Sequence, residues 1–220
     1  MKKNKNSYFI LFAVFSALLF SGCDNSTTEQ STSAQASQTA SATVTPNANS
    51  NTASNTTANK ALREPDVIYV PTPEDVVDEM LRMADVKEGD VLYDLGSGDG
   101  RIPITAAKRF KVRAVGIEIN PARIEEANRN AVENKVTDLV TFRNQDLFES
   151  DFSEATVVTL YLLESLNVKL RPKLLSELKP GTRIVSHAFK MGDWEPEKTA
   201  NVNGKMVYFW RVPERSGEAK

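Results

Sequence analysis

Asp94-Leu95-Gly96-Ser97-Gly98-Asp99-Gly100-Arg101 follows directly on the apolar run Val91-Leu92-Tyr93. The order is that of a strand, an acid at its end, a glycine at every second position, and a helix start. Glycines let the backbone turn tightly and approach a ligand closely. The dinucleotide fingerprint spaces its glycines G-x-G-x-x-G. Here the spacing is G-x-G-x-G, with Asp94 two residues ahead of the first glycine. A leading carboxylate suits a nucleoside-type ligand that carries a positive end and no phosphates. The plainer alternative is a glycine-rich β–α turn without a ligand.

Outward from this motif, strand and helix patterns alternate. Residues 73–84 place Val76, Val77, Met80, Leu81 and Ala84 at helical spacing, with Pro73 suited to a first turn and Thr72 to an N-cap. Strand 91–94 and helix 101–110 flank the glycines. Residues 112–119 (V-R-A-V-G-I-E-I) read as a second strand, and Pro121 opens a helix over 122–133 with Ile124, Ala127 and Ala131 inward. A short strand at 139–142 is followed by the continuous apolar run 155–162, the mark of a strand buried on both faces. A helix is expected over 166–178, broken near Pro172. Strand 183–189 follows, and Asn203-Gly204 joins two last strands in a hairpin. The pattern predicts an α/β fold: a doubly wound, mostly parallel, seven-stranded Rossmann-like sheet ending in a β-hairpin. Ligands of such sheets lie beyond the carboxyl ends of the strands.

The domain occupies residues 62–213, enough for one compact core, with a flexible tail at 214–220. Residues 1–22 read as a lipoprotein-type signal peptide: Lys2, Lys3 and Lys5 precede an apolar run over 8–20, then Ser21-Gly22-Cys23. That run is shorter than the ~20 residues a spanning helix needs. Cys23, the single cysteine of the 220 residues, sits at the processing point. Phe20-Ser21-Gly22-Cys23 resembles the lipobox of bacterial lipoproteins, which implies a lipidated Cys23 and an extracytoplasmic, membrane-anchored protein. Residues 23–61 are almost wholly Ser, Thr, Asn, Ala and Gln, too poor in apolar groups to bury a core, and are expected to form a disordered tether. The formal charge of −2 becomes more acidic once the leader lysines are removed, which argues against a dedicated nucleic-acid binder.

Two further acids fall at strand ends. Glu118 lies about 20 residues past the glycines, where a carboxylate accepts both ribose hydroxyls; the alternative is a cap for the helix opened by Pro121. Asp146, in Asn144-Gln145-Asp146-Leu147, follows the third strand, and its alternative is a turn aspartate. His187, the single histidine, ends the fifth strand. It is either a general base or a satisfied structural residue. With one histidine and one cysteine, no metal site of those ligands is expected.

Tyr69-Val70-Pro71-Thr72, Asp94 to Arg101, Gly116-Ile117-Glu118, Ala155-Thr156-Val157-Val158 and Gly181-Thr182-Arg183-Ile184-Val185-Ser186 together resemble the class I methyltransferases that use S-adenosyl-L-methionine (SAM). The resemblance is strongest to the small protein-lysine methyltransferases with mitochondrial members acting on membrane proteins, and extends distantly to the non-SET histone lysine methyltransferases. It implies that Asp94, Gly96, Ser97, Gly98, Gly100 and Glu118 hold SAM, that Asp146 accepts the adenine amino hydrogens, and that Tyr69 and Thr72 line the methionine end. It also implies that Tyr161 takes the active-site position after the fourth strand. The histone enzymes carry asparagine there, so Tyr161 departs from them. The implied partner is a lysine-bearing protein, membrane proteins included, with no nucleic acid.

A lysine amine must lose its proton before it attacks a methyl group. Tyr161, Leu162, Leu163 and Phe189 form either an apolar channel that favours this or ordinary core. Glu164 or Asp193 would supply an acidic rim that attracts the substrate. No Asn-Pro-Pro-Tyr follows the fourth strand, which speaks against adenine or glutamine methylation. No carboxylate cluster replaces Tyr161, which speaks against a magnesium-dependent catechol-type site. The competing functions are methylation of a small molecule or lipid, and an exported non-catalytic ligand-binding module. The second is motivated by the conflict between export and a cofactor made in the cytoplasm.

Overall fold

The computed structural model describes residues 62–215. The leader, the lipobox and the tether expected in residues 1–61 lie outside the described residues, as does most of the tail. Among the described residues no helix is long and apolar enough to cross a membrane.

The chain forms α1 (Glu74–Met83), β1 (Val91–Leu95), α2 (Arg101–Phe110), β2 (Arg113–Glu118), α3 (Pro121–Glu133), β3 (Val140–Asn144), β4 (Val157–Leu160), α4 (Glu164–Glu177), β5 (Arg183–His187), β6 (Lys198–Val202) and β7 (Lys205–Arg211). One seven-stranded sheet runs β3-β2-β1-β4-β5-β7-β6. The first five strands are parallel, and β7 returns antiparallel beside β5 with β6 at its outer edge. Asn203 and Gly204 both have positive φ, 50° and 84°, the conformation a two-residue hairpin of matching twist needs.

Side chains alternate across each strand, and both faces of the sheet are covered. Leu92, Val157, Val185 and Phe209 face a core made with α1 and α2. Their neighbours Tyr93, Val158, Ile184 and Trp210 face a second core with Leu170 and Leu174 of α4, together with Phe152. Trp210 is fully buried, and its indole N–H, the side chain's one donor, is satisfied by the Trp194 carbonyl at 2.8 Å.

Three local expectations are corrected. First, α4 begins at Glu164 and runs unbroken through Pro172. Proline removes one helix hydrogen bond and frees the carbonyl of residue i−4. Pro172 and Val168 both lie on the exposed side, so the freed carbonyl is not shut in the core. Second, α1 is capped by Pro73, and no side chain caps it, because the Thr72 hydroxyl turns inward to His187. Third, β5 stops at His187, because Ala188 takes φ 64° and turns the chain. One link also departs from strict alternation: residues 145–156, between β3 and β4, contain no helix.

Candidate functional site

In the order β3-β2-β1-β4-β5, chain connections switch direction between β1 and β4, and a crevice opens there beyond the strand ends. A cavity of about 530 Å³ fills that crevice. Gly96 and Ser97 line it after β1, Glu118 and Asn120 after β2, Gln145 and Asp146 after β3, and Tyr161 and Leu162 after β4. The extended segment 62–72 closes it from above, contributing Arg63, Tyr69 and Thr72.

Asp94 is the penultimate residue of β1, inside the sheet. Its carboxylate accepts a 2.7 Å hydrogen bond from the Thr159 hydroxyl. Burial pushes its pKa up to about 7; the Thr159 bond opposes this, and Glu118 and Asp99 add to it. Ser97 Oγ is buried with no hydrogen-bond partner among the described residues, beside Gly116, where an added Cβ would stand 2.6 Å from it.

Glu118 spans the loop ends on either side of the crevice. One carboxylate oxygen accepts from the Gly98 N–H at 2.9 Å, and the other from the Asn120 N–H at 2.8 Å. The helix-capping alternative does not apply to this acid, because the N-cap of α3 is Asn120, whose side chain accepts from Ala122 N. Each oxygen of Glu118 keeps further acceptor capacity, and the residue lines the cavity.

Gly98 and Gly100 do not line the cavity; they stand behind it. A Cβ on Gly98 would meet the Tyr69 ring at 2.2 Å, and one on Gly100 would meet Phe142 at 2.4 Å. Both have positive φ, so the glycines serve the turn and its packing first. The Tyr69 ring thus packs against the glycine loop at Gly98, with the Arg123 guanidinium 5.0 Å from its ring centre. Burial and the adjoining Asp99 push its hydroxyl up to about 12.

Asp146 lines the cavity after β3 but is already engaged. It accepts from Phe148 N at 2.9 Å and from Arg63 Nε at 2.5 Å. Burial works against its ionisation, but Arg63 and the Phe148 N–H outweigh burial and hold it below the usual carboxylate range.

Tyr161 follows β4 and reaches the cavity. Its ring lies against His187, centroids 3.9 Å apart, with Phe189 at 6.3 Å. Of the expected channel, Tyr161 and Leu162 line the cavity, while Leu163 points to solvent at 45% exposure and Phe189 stands behind Tyr161. Of the expected rim, Glu164 is exposed, whereas Asp193 is paired to Arg171.

Sequence reasoning missed three contributors. Asp99 and Arg101 form an ion pair at 2.6 Å, and Arg101 also donates to the Thr72 carbonyl at 2.9 Å, tying the covering segment to the glycine loop. Arg63 was the third. The D-G-R end of the motif was a signal for the first pair; nothing local signals Arg63.

The lining tests the ligand's charge. Arg63 is paired with Asp146 and Asp66, Arg101 with Asp99, and Arg123 with Glu126. No lining guanidinium is left over for phosphates. Among the described residues Asp94 and Glu118, in contrast, have no cationic partner. Two acids without a cationic partner, one of them held toward its protonated form until a cation arrives, and an orphaned hydroxyl fit a cationic amine and a ribose diol, and do not fit a pyrophosphate. Among the described residues no cluster of His, Cys, Asp or Glu is arranged to hold a metal ion.

Comparison with known proteins agrees with this chemistry. A family model described as the ANTKMT methyltransferase domain matches residues 94–198. A protein-lysine N-methyltransferase of Saccharolobus islandicus is 52% identical over 155 residues, covering 68% of this chain and 96% of that protein. The adenine nucleotide translocase lysine N-methyltransferase of Mus musculus is 32% identical over 146 residues, covering 66% of this chain and 63% of the mouse protein. Among solved structures, one described as an RNA methyltransferase from Salinibacter ruber in complex with S-adenosyl-L-homocysteine is 59% identical. It superposes with a TM-score of 0.66 and covers 68% of this chain and 98% of its own.

Proposed function

This chain belongs to the protein-lysine N-methyltransferase family of class I SAM-dependent enzymes, and from that membership we propose that it transfers a methyl group to the side-chain amine of a lysine in a protein. Its cofactor is SAM, which supplies an electrophilic methyl on a sulfonium. Asp94 and Glu118 would hold the amine and ribose ends, Asp146 the adenine edge, and Tyr69 and Thr72 the methionine end. Displacement at a methyl needs a neutral nucleophile aligned about 3 Å away more than it needs a strong acid or base. Leu162 and the Tyr161 ring form the apolar wall against which a lysine stem packs, and desolvation there favours the neutral amine.

The observation that carries this reading is the lining itself: a crevice with two unneutralised acids, every lining arginine engaged, and an aromatic side chain at the β4 end. The same pairing leaves no arginine of the lining free for a nucleic-acid phosphate. The test is to incubate the full-length protein with methyl-labelled SAM and a whole extract of the source cell, then treat with protease or ribonuclease. Label recovered as methyl-lysine supports the proposal. Label released by ribonuclease would move the acceptor to RNA, the class in the description of the Salinibacter structure.

We also propose, from residues 1–61, that the enzyme is tethered to the extracytoplasmic face of a membrane through a lipidated Cys23, and acts on lysine-bearing proteins there, membrane proteins included. The tether would let the domain range over roughly 5–6 Å × √n for n linker residues. SAM must then reach that face. Incorporation of labelled fatty acid that is lost in Cys23→Ser supports the anchor; equal incorporation in that variant overturns it.

A further inference from the structure

We propose that His187 is a positioning residue that acts through Tyr161, holding the phenol at the acceptor end of the cavity as part of an aromatic stack, and is not the base that takes the lysine proton. The proposal rests on the reading that Tyr161 faces the acceptor.

The stack is built into the sheet. Leu160 pairs with Ser186 across β4 and β5, so the next residue on each strand, Tyr161 and His187, stand side by side. Their rings lie 3.9 Å apart at 34°. His187 is 2% exposed and does not line the cavity, whereas Tyr161 does. One ring nitrogen is already engaged: Nδ1 is 3.3 Å from the Thr72 hydroxyl.

The turn that carries His187 is held at some cost. The Phe189 N–H donates to the His187 carbonyl at 2.8 Å, bridging Ala188 at φ 64°. Such a turn is strained at a residue that bears a Cβ, and persists only where surrounding structure enforces it. Asn167, fully buried on α4, supplies the enforcement. Its amide nitrogen reaches Ser186 Oγ and the Phe189 and Lys190 carbonyls at 3.2–3.3 Å, and Ser186 Oγ donates to the Phe189 carbonyl at 2.7 Å. The result is that both rings flanking Tyr161, His187 and Phe189, leave one turn in a fixed relation.

Neutrality matters to this arrangement. The methyl group in transfer and the methylated amine it produces carry positive charge, and a neutral phenol attracts that charge through its π face. A charged imidazole stacked against the other side of that phenol would repel the same charge. Burial pushes His187 down to about 4; Lys205 lowers it further and Asp75 opposes. His187 is buried and does not line the cavity, so the lysine gives up its proton to the bulk solution as it enters the apolar channel, without His187 as the acceptor.

The test uses full-length protein, the labelled extract as acceptor, and the variants His187→Phe and His187→Asn. Phenylalanine keeps the stack and loses the contact to Thr72; asparagine keeps a polar contact and loses the stack. The expected result is a turnover within about threefold of wild type for the first and at least about tenfold lower for the second, with S-adenosyl-L-homocysteine affinity unchanged in both. Because the chain has one histidine, nitrogen NMR of the wild type reports its titration without ambiguity, and His187 is expected to stay neutral across the active pH range. Two results overturn the proposal: a turnover-against-pH midpoint that follows the His187 titration, or equal loss in both variants. If the label enters RNA, the lysine reading fails while the contrast between the two variants still decides the role of His187.

Discussion

The Arg63 guanidinium spans the Asp146 carboxylate, with Nε 2.5 Å from one oxygen and Nη2 3.3 Å from the other. Asp146 is the acid assigned to the adenine amino hydrogens, so the arginine and the adenine call on the same acceptor. Arg63 also stacks 5.4 Å above Phe148 and pairs with Asp66 on its own segment. The covering segment therefore has somewhere else to put its charge when the adenine is bound.

Removing that competition should tighten cofactor binding. The arginine is over a third exposed, and a pair of this kind contributes ~1 kcal/mol or less. Arg63→Ala is expected to raise S-adenosyl-L-homocysteine affinity about two- to fivefold, measured by titration calorimetry at low salt. A clear fall in affinity would make Arg63 part of the binding wall instead.

Glu118 holds two loop N–H groups besides facing the cavity. Glu118→Ala leaves both donors without their acceptor and removes the ribose contact. A loss of about 2–3 kcal/mol follows from hydrogen bonds to a charged group, or roughly 30- to 150-fold in affinity. Calorimetry of wild type and variant checks this. Unchanged affinity would remove Glu118 from the site.

Much of this architecture was legible because its signals are local. Helix α2 has the bounds expected from sequence, and the Asn203-Gly204 turn is where its dipeptide places it. The acids Asp94, Glu118 and Asp146 were readable from strand ends because the topology puts those ends together. What stayed hidden depends on contacts distant along the chain. Arg63 meets Asp146 across 83 positions, and Thr72 meets His187 across 115. The continuity of α4 through Pro172 depends on which side of the helix faces water, which a weakly periodic segment does not announce.

Gly116 in β2 tests packing without any contribution from φ. Glycine inside a strand is ordinarily unfavourable by ~0.5–1 kcal/mol relative to alanine, so Gly116→Ala would be expected to stabilise. Here a Cβ would stand 2.5 Å from the Phe142 ring and 2.6 Å from Ser97 Oγ. Overpacking of this sort costs ~1–3 kcal/mol, and the net effect is expected to be destabilising by urea unfolding. Phe142→Leu in the same chain should recover part of the loss. Independent, additive effects of the two changes would show that the contact is not the cause.

Two buried groups give stability opposite dependences on pH. Asp94 is raised from 3.8 to about 7, so the folded state keeps a proton that the unfolded chain has released. The stabilisation from that proton is complete below pH 3.8 and is lost as pH rises through about 7, at most ~4 kcal/mol in all. His187 is lowered from 6.5 to about 4. Its contribution is complete above pH 6.5 and is lost as pH falls through about 4, at most ~3 kcal/mol. Between pH 4 and 6.5 the two offset each other, and wild-type stability should be nearly flat. Asp94→Asn keeps an acceptor for Thr159 and removes the limb that declines with rising pH. The variant is therefore expected to be more stable than wild type at pH 8, with the gap closing toward pH 4, while its affinity for SAM at pH 8 collapses because the carboxylate facing the cationic amine is gone. Urea unfolding of the ligand-free proteins from pH 4 to 8 measures the gap. A difference that does not change with pH would mean that Asp94 is already ionised in the ligand-free enzyme throughout that range.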